Sequence, residues 1–145
     1  MKQKALNLLF LCVVLLGLTA CKDTKLKPTQ IQIDGPLGEY FEVVDRNYTL
    51  KTNGDFSVEL KRIAEGGPKS IQVGSYEIHV NFLDANGSLI SSSKIDGVMN
   101  GQAFDDITNL AVGETAQVSI PFSGSPVEKS NVEQFKVMSK NIMGN

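Results

Sequence analysis

The stretch Tyr76-Glu77-Ile78-His79-Val80-Asn81-Phe82-Leu83-Asp84-Ala85-Asn86-Gly87 decides the fold class. From Tyr76 to Phe82 apolar and polar residues alternate one for one, the period of a strand with one face in a core and the other outside. Ile78, Val80 and Phe82 are therefore expected inside, and Glu77, His79 and Asn81 outside. The alternation stops at Asp84-Ala85-Asn86-Gly87 and resumes through Leu89 and Ile90. Asn-Gly tolerates the positive φ that a tight turn demands, so a hairpin is expected there.

The same pattern extends in both directions. Ile31 and Ile33 suggest a first short strand, broken at Asp34-Gly35-Pro36. Tyr40 to Val44 suggest a second, and Tyr48 with Leu50 a third. Asn53-Gly54 then predicts another hairpin, into Phe56, Val58 and Leu60. After the Gly66-Gly67-Pro68 loop and the strand already described, 91–109 has no period and is expected to be the longest loop. Ala116, Val118, Ile120 and Phe122 alternate again, closed by Ser123-Gly124-Ser125-Pro126, and Phe135 with Val137 mark a last strand. No helical period of useful length and no internal repeat is visible. About seven to nine short strands, with turn signals roughly every 8 to 12 residues, predict an all-β antiparallel sandwich of immunoglobulin-like type.

Two segments resemble known families. Asp84-Ala85-Asn86-Gly87, followed by Leu110-Ala111-Val112-Gly113-Glu114 and the run through Val118 to Pro121, is similar to secreted bacterial immunoglobulin-like modules. The likeness covers about a third of the chain and consists of turn and core chemistry; it implies a fold and no active site. At the other end, Lys2 and Lys4 precede the apolar run Leu8 to Leu16, and small residues follow. That is the plan of a secretory signal, too short to serve as a membrane-spanning helix. Its last residues, Leu18-Thr19-Ala20-Cys21, resemble the lipobox of bacterial lipoproteins. The resemblance implies cleavage between Ala20 and Cys21, a diacylglyceryl group on the Cys21 thiol, and acylation of the new amino terminus. Several acyl chains anchor a protein firmly where one is marginal. The expected organisation is a signal peptide over 1–20, a lipidated flexible tether over 21–28 and a sandwich over 29–145. The same resemblance implies the outer membrane within the cell envelope, because Lys22, followed by Asp23, stands directly after the cysteine where an aspartate would be the family's inner-membrane retention signal.

Composition narrows the function. Removing Lys2 and Lys4 with the leader leaves 12 basic residues against 16 acidic ones, a net of −4. A nucleic-acid partner is not expected, because phosphate binding needs a basic surface. Both cysteines, Cys12 and Cys21, lie in the leader or at the anchor. The folded part can then have no disulfide, thiolate metal site or cysteine nucleophile, and packing alone must hold it.

The remaining chemical candidates are sparse. His79 is the single histidine, expected to be exposed, and without His or Cys partners it makes a poor base or ligand. Ser91-Ser92-Ser93-Lys94 matches the Ser-x-x-Lys acylation motif of penicillin-binding enzymes, but the motifs that accompany it there are absent. Asp105 and Asp106, with Asp96, could offer loop oxygens to Ca²⁺ in the 94–109 region. Asp84 to Gly87 begins like a calcium loop, yet Ile95 occupies the position of its last acidic ligand. Asn47-Tyr48-Thr49 and Asn86-Gly87-Ser88 fit the N-glycosylation pattern, which a bacterial lipoprotein would not ordinarily use. Val98, Met99 and Phe104 could offer an apolar contact or plug the end of the sandwich.

The reading that results is a membrane-anchored, non-enzymatic binding or structural module with no cofactor beyond its own lipid. Its partner is an unidentified protein or glycan. The alternatives are a Ca²⁺ or small-ligand binder using 94–109, and a small envelope glycan-acting enzyme.

Overall fold

A computed structural model describes residues 22–67, 75–97 and 100–142. The chain is mostly β and forms two sheets. The larger has five strands in the order β3-β1-β8-β5-β6: β1 is Thr24–Pro28, β3 Tyr48–Leu50, β5 Tyr76–Leu83, β6 Leu89–Asp96 and β8 Gln134–Asn141. The smaller has the order β2-β4-β7, with β2 Phe41–Val43, β4 Ser57–Arg62 and β7 Thr115–Ser119. All neighbours are antiparallel except β1 and β8. A 3-10 turn, Pro36–Glu39, and two short helices, α1 (Gly101–Thr108) and α2 (Pro126–Ser130), complete the described elements.

β5 is the spine of the larger sheet, flanked by β6 and β8. Ile78, Val80 and Phe82 are wholly buried, as their parity demands. They share one apolar cluster with Val58 and Leu60 of β4, Val118 of β7, and Phe135 and Val137 of β8. The inward faces of both sheets therefore build a single core. Rings join it near one end: Phe56 meets Phe82 at 5.2 Å and Phe135 at 5.0 Å between centroids, both edge to face. Such tilted pairs place a positive ring edge against a negative face.

The Asp84 to Gly87 hairpin forms as expected. Gly87 has φ +81°, its N–H donates to the Asp84 carbonyl, and the Asp84 carboxylate accepts from the N–H groups of Asn86 and Ser88. The second Asn-Gly does something else. In both Asn-Gly pairs only the glycine has positive φ, but β3 and β4, unlike β5 and β6, belong to different sheets. The turn reverses the chain locally, with the Lys51 N–H donating to the Asp55 carbonyl and the Gly54 N–H to that of Lys51, and delivers it to the other sheet. Local turn chemistry can specify a reversal without specifying the partner.

Three further expectations are corrected. The segment expected to be a tether is, from Thr24, strand β1. Lys25 and Lys27 point outward while Leu26 is wholly buried, so one apolar residue between lysines carries the alternation. Ile31 and Ile33 do not form a strand: Gln32 and Asp34 make isolated bridges, Ile33 is buried and Ile31 is exposed, because the chain turns at Gly35 into the 3-10 turn. The expected loop over 91–109 is shorter, since β6 runs to Asp96 and α1 begins at Gly101. Helix α1 buries Phe104 and Ile107, three positions apart on one face, which is too short a pattern to announce itself as a helical period.

Candidate functional site

Among the described residues a cleft of about 590 Å³ opens where edge strand β3 faces the start of β4 and the end of β7. Its walls include Arg46 and Asn47 just before β3 with Tyr48 and Thr49 of that strand, and, from the other side, Phe56 just before β4, Ser57 of β4, and Gln117 and Ser119 of β7. Local chemistry fixes several of these. The Tyr48 side chain packs inward, 5.2 Å from the Phe135 ring, and its hydroxyl donates to the Val44 carbonyl at 2.7 Å. Burial holds its phenol above the ordinary value, so it stays a donor at any physiological pH. The Arg46 guanidinium lies 4.9 Å from the Tyr48 ring centre and 3.1 Å from the Glu59 carboxylate. Across the cleft floor the hydroxyls of Ser57 and Ser119 are 2.9 Å apart. Asp55 is the one carboxylate among the lining residues, and it accepts from the Asn53 side-chain amide at 2.7 Å. The surface offers hydroxyls, amides and a guanidinium over the buried Tyr48 and Phe56 rings, which suits polar recognition through neutral and cationic donors.

A second polar group lies on the outer face of the larger sheet. The Glu77 carboxylate binds Lys94 of β6 with one oxygen, and its other oxygen is 2.8 Å from His79 Nε2. Asn81 continues the row, accepting from the Ser92 hydroxyl and donating to the Met138 sulfur. The parity reading placed His79 and its neighbours on the right face and overestimated their exposure. The His79 side chain keeps 15% of its surface, and Glu77 is buried at 8%. A central strand between two long neighbours leaves little open surface even on its outer side. Hydrogen bonds from Lys94 first, then His79, lower the Glu77 pKa below its ordinary value.

The other candidates do not assemble. Asp105 and Asp106 lie on α1, not in a loop, and Asp106 accepts from Gln102 one turn earlier. Asp96 ends β6, its backbone in register with Glu77. The described residues contain no group of three His, Cys, Asp or Glu side chains placed to hold a metal. Ser91 and Lys94 point to opposite faces of β6: Lys94 meets Glu77, whereas the Ser91 hydroxyl donates to the Ser123 carbonyl. Phe104 plugs one end of the core at 2% exposure. Asn47 lines the cleft, and Asn86 sits in the hairpin. Ala20, Cys21, Val98 and Met99 lie outside the described residues. Among the described residues no helix is long and apolar enough to cross a membrane.

Two tight arrangements escaped the sequence reading. Asp23 accepts from both the N–H (2.9 Å) and the hydroxyl (3.0 Å) of Thr52, while the Lys129 ammonium donates to the Thr52 carbonyl. The helix that presents Lys129 was legible in principle: Ser125-Pro126-Val127-Glu128 is a capping box with proline at the first helical position, and both reciprocal bonds form. The second is Arg62, held by three backbone carbonyls, which no spacing announces. No protein-family model matches the chain, and comparisons with curated proteins and with solved structures give no significant match.

Proposed function

We propose that the protein is a lipid-anchored lipoprotein of the cell envelope, with the outer membrane favoured, whose folded part is a non-enzymatic binding module of immunoglobulin-like type. The cleft between β3 and β7 is its recognition surface for a polar envelope component, a glycan before a protein. The cleft carries this reading: hydroxyl, amide and guanidinium groups line it, with Asp55 the single lining acid and Glu59 engaged by Arg46. A glycan hydrolase needs two carboxyl groups about 5 to 10 Å apart across its substrate, and the cleft's acids do not favour that use.

The fold type is supported by Tyr48. Its hydroxyl reaches back four residues to the Val44 carbonyl as the chain passes from β2 in one sheet to β3 in the other, the geometry of the tyrosine corner of Greek-key sandwiches. The location is supported by the lysine-flanked apolar leader and Leu18-Thr19-Ala20-Cys21. Two measurements test the proposal. Cys21→Ser should leave the chain unprocessed or soluble, and a processed, membrane-bound Cys21→Ser protein would sink the anchor. Calorimetric titration of the full chain with envelope glycan fragments should show binding that Gln117→Ala and Arg46→Ala weaken; titration heats unchanged by both substitutions would remove the cleft from the proposal.

A further inference from the structure

The amino-terminal end of the folded part is clamped. Asp23 is bonded twice to Thr52, and Thr24 already belongs to β1. Lys22 alone separates Asp23 from Cys21, so the Cys21 Cα lies within about 7 Å of the Asp23 Cα at the reach of an extended chain. The headgroup layer of one leaflet is itself about 5 to 8 Å deep, the difference between the full bilayer and its hydrocarbon core. An acylated Cys21 at the base of that layer leaves no slack for the domain to stand clear of it.

What this end presents fits such a neighbour. Lysine 129 ties α2 to the clamp through the Lys51 and Thr52 carbonyls. Helix α2 forms one side of a depression of about 400 Å³ whose other side is Lys22 to Lys25. Val127 stands on this helix at 73% exposure, the most exposed large apolar side chain among the described residues. The capping box and Pro126 fix the turn that carries it. An exposed apolar side chain on a short capped helix that faces the exposed Lys22 and Lys25 across the depression, at the point where the chain emerges, is the arrangement of an interfacial contact: the apolar group enters the headgroup region and the Lys22 and Lys25 ammonium groups meet lipid phosphates.

We propose that the end of the molecule formed by the Asp23–Thr52 clamp and α2 rests directly on the phospholipid headgroup layer, with Val127 inserted into it. This rests on the reading that Cys21 carries the lipid. The orientation then follows: the strands rise from the membrane, and Arg62 and Val112, at the far end of β4, point away from it.

The test uses the full chain as the cell processes it, purified and reconstituted into phospholipid vesicles. Val127→Cys and Val112→Cys are each labelled with an environment-sensitive thiol dye; both positions are exposed valines, and the lipid blocks Cys21. With nitroxide-bearing phospholipid in the vesicles, the dye at 127 should be quenched several-fold more strongly than the dye at 112 and emit at shorter wavelength. Intact mass reports the lipid independently. A lipidated protein with equal quenching at the two positions overturns the docking and leaves the anchor standing. A free Cys21 thiol overturns both.

Discussion

Nε2 of His79 and a carboxylate oxygen of Glu77 lie 2.8 Å apart, two positions along the same face of β5, and Lys94 holds the other oxygen of the same carboxylate. Neither β5 residue is free to turn to solvent, so the pair reports on the packing of the outer face. The bonds favour the charged carboxylate, which sets the sign of a pH effect.

Glu77 titrates below its ordinary value of 4.5, through Lys94 first and His79 second. A depressed carboxylate contributes stability that is complete above its unfolded pKa and is lost as pH falls through the lower folded one. Asp34, bonded by Lys136 and Gln30, moves in the same direction. The melting temperature should therefore fall between about pH 5 and pH 3, where the unfolded chain binds the extra protons. Glu77→Gln should flatten part of that fall, and Lys94→Met should flatten more of it than His79→Ala. Identical acid limbs in melts of all four proteins would exclude Glu77 as a contributor. At neutral pH His79→Ala should cost about 0.5 to 1.5 kcal/mol, the worth of one hydrogen bond, and not be silent.

Val80 is wholly buried and pairs with Val137 on one side and Ser93 on the other. Val80→Asp places a charge without a counterion in the shared core of both sheets, at a cost of several kcal/mol against a total of about 5 to 15. Circular dichroism at room temperature should show an unfolded chain. A cooperative melt near that of the parent would mean that the inward face of β5 is wrongly assigned.

How much of this was legible follows from how locally each feature is determined. The inward set of β5 and its hairpin could be read because strand parity and the Asp84-x-Asn-Gly turn act over a few residues. β1 could not, because a single leucine among lysines gains its burial from β3 and β8, strands far along the chain. The Asn53-Gly54 turn shows the same limit: its reversal is local, but which sheet receives the next strand depends on packing. The cleft is assembled from 46–57 and 117–121, segments that only the sheet order brings together. The capping box at Ser125 was readable and hidden only by its brevity.

Glycine positions separate strain from collision. Gly35 has φ +94°, and a Cβ there would lie 2.0 Å from the Ser139 carbonyl oxygen, backbone that cannot yield. Gly87 has φ +81° with nothing within 4 Å. Gly87→Ala should cost only the left-handed conformation, about 1 to 2 kcal/mol. Gly35→Ala should cost clearly more, because the 3-10 turn and β8 must part: the Ser139 N–H and hydroxyl both donate to Asp34, and the same hydroxyl accepts from Leu37. Denaturant midpoints of the two variants check this, and a Gly87→Ala loss as large as the Gly35→Ala loss would contradict the geometry.

Arg62 closes the end of the molecule opposite the clamp, and its partners among the described residues are backbone carbonyls. Its Nε donates to the Ala64 carbonyl at 3.1 Å, and its terminal nitrogens donate to the Thr108 carbonyl at 2.9 Å and the Gly66 carbonyl at 2.5 Å. The guanidinium carbon lies 5.6 Å from the centre of the Phe41 ring. One planar fork thus joins the end of β4, the following loop and the last turn of α1, where a cation also meets the negative end of the helix. Lysine cannot reproduce this, since one ammonium cannot reach three carbonyls set out for a fork. Arg62→Lys should cost about 1.5 to 3 kcal/mol, the range for hydrogen bonds to a charged group. Arg62→Met keeps the apolar stem but leaves all three carbonyls without this donor, and should cost at least as much. Hydrogen exchange distinguishes this from general weakening: amides of α1 and of 64–66 should lose protection before those of β5 and β8. Uniform loss across the molecule would show that Arg62 serves the whole core and not the junction with α1.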